Sequence, residues 1–214
     1  MLDSEATRPR GRPRDPEKRE AILAAATALF MERGFASTSM EAIARRAGVS
    51  KPTLYGYFPD KDALFRAAVM AKCEGFVGPE VFEIRPGQEV RAGLALIAMR
   101  FLRLVTDPDA VAIVALINRE ANRAPQLPHL FFEVAVAALQ RKLGDYLQRQ
   151  AAMGRIRVAD PGEVAWRFLG AVKGEAHMRA MLGLPPLSET VIERHIEACV
   201  SDFLTAHGVV RETQ

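Results

Sequence analysis

Cysteine is nearly absent from this chain. Cys73 and Cys199 are the only two in 214 residues, too few for a disulfide framework or a four-thiolate zinc site. Histidine is almost as sparse, with four. His195 and Cys199 lie four apart, but two ligands do not close a tetrahedral site, so no metal is expected. No phosphate loop, Gly-x-Ser-x-Gly elbow or paired metal motif is present, and His129 and His177 stand alone. An enzyme is therefore disfavoured, and neither catalytic residues nor a cofactor are expected. No apolar run approaches the ~20 residues that span a bilayer. The opening "MLDSEATR" is acidic and polar, unlike a signal peptide. With so little cysteine, a cytoplasmic setting and no membrane partner are predicted. Sustained alternation of apolar and polar residues is missing too, which argues against strands and for an all-α fold.

What the chain does have is positive charge in one place. From Arg8 to Arg19 six basic residues face two acidic ones, a surplus of four against a whole-chain net of +3. The remainder is close to neutral, at about −1. "RPRGRPRD" alternates arginine with proline and glycine, so residues 1–15 read as an extended basic arm with no core-forming side chain. Charge concentrated in this way implies an anionic partner, and nucleic acid suits it better than a membrane surface.

Helix signals follow one another. Asp15 is a good N-cap and Pro16 suits the first turn, with Ile22, Leu23, Ala26, Leu29 and Phe30 on one apolar face and Gly34 at the end. Thr38 and Glu41 have capping-box spacing for a short second helix, which Gly48 stops. Ser50 can cap a third, "KPTLYGYF", and Asp60 a fourth from Lys61 to about Phe76. "GPEVFEIRPG" reads as a linker. Five longer helices are expected beyond it, near 88–105, 108–122, 128–152, 161–182 and 188–206. The total is about nine. The implied domains are a helix-turn-helix unit over 16–60, a connecting helix over 61–77 and a helical domain over 78–210.

A capped helix, a glycine turn and a second short helix make a helix-turn-helix, whose second member enters a DNA major groove. Leu54 and Phe58 share the face that packs inward, leaving Lys51, Thr53, Tyr55 and Tyr57 for DNA. Pro52 can touch a thymine methyl and Lys61 can neutralise a phosphate, with Thr38 and Ser50 at the helix starts as further contacts. "ILAAATALFMERGFASTSMEAIARRAGVSKPTLYGYFPDKDALF" resembles the DNA-binding domain of the TetR/AcrR family of bacterial transcription regulators. The resemblance rests on Phe-x-x-x-Gly-Phe, on Ile-Ala…Ala-Gly-Val-Ser and on Leu-Tyr-x-Tyr-Phe-x-x-Lys. It implies Lys51, Pro52, Thr53, Tyr55, Tyr57 and Lys61 as DNA contacts. Gly56 departs from it, standing where many members carry a larger side chain. "REANRAPQLPHLFFE" resembles the C-terminal domain of AefR-like members. "PRGRP" also resembles an AT-hook core, so Arg10, Arg12 and Arg14 are candidates for the minor groove beside the half-site. An unspecific phosphate anchor is the plainer reading of the same residues.

The resemblance implies a homodimer that represses transcription from a palindromic operator and is released by a small hydrophobic or amphipathic effector. An architectural A·T-binding protein without a ligand is the alternative. Phe101, Ile117, Phe132 and Trp166 are expected to line an effector cavity, with Asn118, Glu120, Glu175 and His177 as polar candidates. The dimer is expected on the last two helices, through Val164, Phe168, Val172 and Met178 on one and Ile192, Ile196, Val200 and Phe203 on the other.

Overall fold

The computed structural model describes residues 15–208, which include no strand. The helices are α1 (Pro16–Arg33), α2 (Met40–Arg46), α3 (Lys51–Tyr57) and α4 (Lys61–Val77), then α5 (Val90–Thr106) and α6 (Pro108–Glu120). Next comes a rod in which α7 (Leu127–Phe131) runs through a π-helical turn (Phe132–Ala137) into α8 (Ala138–Ala152). The last two are α9 (Pro161–Met181) and α10 (Glu189–His207). Counting the α7–α8 rod once gives nine helical rods among the described residues, all close to their expected positions.

Their starts are set locally. The carboxylates of Asp15, Asp60, Asp107 and Asp160 accept hydrogen bonds from backbone N–H groups of the first turns that follow them. In three of the four a proline follows directly, where its missing N–H leaves no gap. The α2 start falls one residue later than the spacing predicts. Ser39, not Thr38, accepts from Ala42 N. The "GPEVFEIRPG" stretch is also less open than a linker. Val81 and Phe82 are buried in a 3₁₀ turn (Pro79–Phe82), and Arg149 Nη2 donates to Phe82 O at 3.0 Å.

Two apolar cores organise the chain. One joins the interior faces of α5, α8, α9 and α10. The other fills the α1–α4 head, and it takes in Ile113, Leu116 and Ile117 of α6 together with Ala124, Leu127 and Leu130. The head is thus closed by helices from the far side of the 79–88 segment.

The α9–α10 pair corrects an expectation. Val164, Phe168, Val172, Ile196, Val200 and Phe203 are buried within this chain, and the Phe168 and Phe203 rings meet edge to face at 5.4 Å. These faces close the chain's own core, because α5 lies against both helices and takes up the apolar stripe. Of the eight expected residues only Met178, 58% exposed, and the partly buried Ile192 keep surface for a partner. Helix α9 itself breaks at Gly174 (φ 43°, ψ −149°), and His195 Nε2 donates to Val172 O at 3.1 Å beside the break. A side chain at Gly174 would meet the His195 ring.

At Gly93 of α5 the side chain of Tyr146, on α8, reaches the backbone. A Cβ there would lie 2.1 Å from Tyr146 Oη, which is buried and accepts from Gln150 Nε2 at 2.9 Å. Gly93→Ala is expected to lose about 1–3 kcal/mol by overpacking, measured by urea unfolding. Adding Tyr146→Phe should restore part of that loss, and a Gly93→Ala variant of wild-type stability would show that the Tyr146 side chain yields freely.

Candidate nucleic-acid interface

Helices α2 and α3 are joined by a turn in which Gly48 takes φ 66° and Val49 N donates to Ala44 O at 3.0 Å. Ser50 Oγ then caps α3, accepting from Thr53 N at 3.3 Å and lying 2.7 Å from Thr53 Oγ1. Leu54 and Phe58 are buried in the head core. The burial of those two fixes which side of α3 faces outward. Lys51, Pro52, Tyr55 and Gly56 are exposed there, with Ser50 beside them and Thr53 half-buried. The expected group is therefore largely gathered on one face. Tyr57 is half-buried, and its hydroxyl donates to Asp15 O at 3.0 Å, tying the end of α3 to the start of α1.

Lys51 is held in waiting by an acid. Its Nζ lies 2.5 Å from Glu41 Oε1 on α2 and 5.9 Å from the centre of the Tyr55 ring. The hydrogen bond within this pair, aided by their attraction, holds the lysine pKa above and the glutamate pKa below their ordinary values. Both groups are exposed, so a phosphate can replace the carboxylate at little expense.

Of two further expected contacts, Thr38 is turned inward and Lys61 is engaged by backbone carbonyls. Thr38 is buried, its hydroxyl within 2.8 Å of Gly34 O and 3.2 Å of Leu29 O, where it seals the end of α1. With the N-cap position taken by Ser39, it has no route to the surface. Lys61 donates to Phe35 O at 2.8 Å and Ala36 O at 3.3 Å, with its Nζ 4.7 Å above the Phe35 ring. Burial holds its pKa below the ordinary lysine value, against the opposing influence of Asp62 and Glu120. Its ammonium braces the α1–α2 turn. Arg10, Arg12 and Arg14 lie outside the described residues.

A second feature adjoins the head. A cavity of about 350 Å³ opens among α4, α5, α6, the α7–α8 rod and α9. Phe101, Trp166 and His177 line it as expected. Ile117, Asn118, Phe132 and Glu175 do not. Ile117 is packed into the head core, Asn118 is exposed on the next position of α6, and Glu175 pairs outside with Arg179 at 2.7 Å. Phe132 is 53% exposed, while Phe131, Ala135, Val136 and Leu139 line the cavity from the inner face of the rod. Val69 of α4 and Ile113 of α6 belong both to the cavity wall and to the head core.

Glu120 is the residue whose role sequence reasoning misplaced. Expected near a ligand, it is buried at the end of α6 and accepts from Ala36 N at 2.9 Å, across 84 residues of sequence. Gly34 leaves room for it; a Cβ there would come within 2.8 Å of its carboxylate. The pairing of a positive-φ glycine with a buried acid far along the chain has no local sequence signal.

Comparison with known proteins agrees with this geometry. A family model described as bacterial regulatory proteins of the tetR family matches residues 22–68, and one described as the AefR-like transcriptional repressor C-terminal domain matches residues 92–209. The chain is similar to the transcriptional activator FasR of Mycolicibacterium smegmatis, 43% identical over 65 residues that cover 30% of this chain and 29% of that protein. It is also similar to the regulator EthR of Mycobacterium tuberculosis, 43% identical over 28% of this chain and 30% of that protein. Each match thus spans under a third of the relative's length. Among solved structures, the flavonoid-responsive regulator FrrA is 37% identical over 92% of this chain and 100% of its own, with a TM-score of 0.72. A TetR-family regulator from Mesorhizobium loti is 29% identical over the same shares, also with a TM-score of 0.72.

Gly56 offers a test of the interface. Among the described residues nothing lies within 4 Å of a Cβ placed there, so their packing does not require glycine. Gly56→Ala should stabilise the fold by about 0.5–1 kcal/mol through helix propensity. It should also weaken DNA binding if DNA approaches α3 closely. A variant both more stable and fully competent on DNA would remove that approach from the account.

Proposed function

This chain belongs to the TetR family of DNA-binding transcriptional regulators, and on that footing we propose that it is a repressor, binding a palindromic operator as a homodimer and released by a small apolar or amphipathic effector. The observation that carries this reading is the shared wall. Val69 and Ile113 serve the cavity and the head core together, and Glu120, two turns beyond Ile113 on α6, holds the amide of Ala36. A guest that displaces α6 therefore acts on the α1–α2 turn and, through α1, on the setting of α3. Release requires that the guest prefer the displaced conformer, each tenfold of preference being about 1.4 kcal/mol.

On DNA, Lys51, Pro52, Thr53 and Tyr55 are the groups we assign to the major groove, with Lys51 leaving Glu41 for a phosphate. The arginines of the 1–15 arm add charge beside the half-site. Dimerisation through the outer side of α9 and α10 is supported by apolar groups left uncovered there. Met178, Leu182, Leu184 and Val191 are all exposed within one stretch of sequence. Two such helices per chain would set recognition helices about 34 Å apart, one turn of DNA. FrrA is named for its response to flavonoids, which makes flat aromatic polyols a sensible first panel for this cavity.

Selection of bound sequences from random DNA, followed by release assays, tests the proposal. It expects one discrete palindrome and loss of binding with at least one apolar compound that also perturbs Trp166, the only tryptophan. Uniform coating of A·T-rich duplex with no preferred site would favour an architectural protein instead. For the dimer, Met178→Glu with Val191→Glu should sediment as a folded monomer with weakened operator binding. Ile196→Glu should unfold the chain, since Ile196 is buried in it. A folded dimer from the double variant would move the interface elsewhere.

A further inference from the structure

The charged and imidazole side chains that line the cavity are all basic. They are Lys72, Lys173 and His177, and among the described residues no aspartate or glutamate lines it. Lys72 is already neutralised. Its Nζ lies 2.7 Å from Asp107 Oδ1 and 2.9 Å from Asp109 Oδ2. Lys173 is not: it has no ion pair or hydrogen-bonding partner among the described residues, and it is only partly exposed. The nearest acid in sequence, Glu175, is committed to Arg179 outside the cavity. His177 is fixed in orientation, since a carbonyl can only accept and Nδ1 therefore donates to Val105 O at 2.9 Å. That bond leaves Nε2 as an acceptor for a hydroxyl on a guest. The Gly174 kink lies between the two residues, and both line the cavity on either side of it.

We infer that the cavity selects a hydrophobic acid, an apolar body carrying one ionisable oxygen group such as a carboxylate or phenolate, with Lys173 as its counter-ion. This rests on the cavity being the effector site proposed above. The physical reason is asymmetry. An otherwise apolar lining stabilises the body of the guest, and a cation of partly buried setting with no internal partner stabilises one negative charge but not a neutral or positive head. The volume of about 350 Å³ lies towards the small end of ligand pockets, ~300–1,000 Å³. One short chain or ring system with a single polar head suits it.

Decanoate and decanol make a matched pair of probes, because they share an apolar body and differ in charge. Dissociation constants for both are read from Trp166 fluorescence at neutral pH in the full-length protein, its Lys173→Met variant and its Lys173→Arg variant. The decanol-to-decanoate ratio of dissociation constants should fall roughly tenfold in Lys173→Met and be retained in Lys173→Arg. Decanol affinity should stay near wild type in both variants, which also confirms that each is folded. Lys173→Gln replaces Lys173→Met if the latter fails to bind decanol. An unchanged ratio in the charge-removing variant, with decanol still bound, overturns the acid-binding inference and leaves the cavity as an apolar site. If neither probe perturbs Trp166 in the wild type, both the inference and the cavity reading beneath it fail.

Discussion

The head of this protein does not close its own core. From Asp15 to Tyr57 the three small helices span too few residues to bury a self-sufficient interior, and even α4 leaves one side open. That side is filled by Ile113, Leu116 and Ile117 of α6 and by Leu127 and Leu130 of α7. Everything proposed about regulation depends on this constraint. A head stabilised by borrowed apolar surface cannot be indifferent to where the lending helices stand. Because α6 presents Ile113 to the head and also lines the cavity with Ala110, Val111 and Val114, the two regions lie on opposite sides of one thin wall.

The polar contacts reinforce that wall without adding much stability of their own. Glu120 and Lys61 grip the same turn from opposite elements, the acid on Ala36 N and the ammonium on Phe35 O and Ala36 O. Losing either would leave part-buried backbone groups of this turn to water, which costs less than the ~1–3 kcal/mol of a fully buried unpaired group. Exposed pairs such as Lys51–Glu41 and Arg46–Glu32 contribute far less. Their place is in specificity: a lysine parked on a glutamate exchanges partners readily when a phosphate arrives, and the exchange weakens with salt.

Much of this was legible in the sequence wherever the determining contact is short-range. Caps at Asp15, Ser50, Asp60, Asp107 and Asp160 act within three residues, and the inward pair Leu54 and Phe58 is set by helical spacing. The family motifs then identify the helix-turn-helix. What escaped is long-range or depends on register. Periodicity says that Ile196, Val200 and Phe203 face something apolar, but not that α5 of the same chain supplies it. Which of the neighbouring Phe131 and Phe132 faces the cavity depends on how the rod packs, and Phe131 does. Thr38 and Ser39 are equally plausible caps until burial chooses between them. Glu120 and Ala36 meet only once the head has docked on α6.

The amide of Ala36 reports on that docking directly, since Glu120 is its hydrogen-bond partner. Hydrogen exchange at this single position, followed in the full-length protein with and without a saturating cavity guest, measures whether the wall transmits. The guest, the tighter of decanoate and decanol, should speed exchange at Ala36 while amides buried in the α5–α8–α9 core become slower. Equal exchange at Ala36 in the free and bound protein, with the guest demonstrably in the cavity, would contradict the coupling on which the regulatory reading stands.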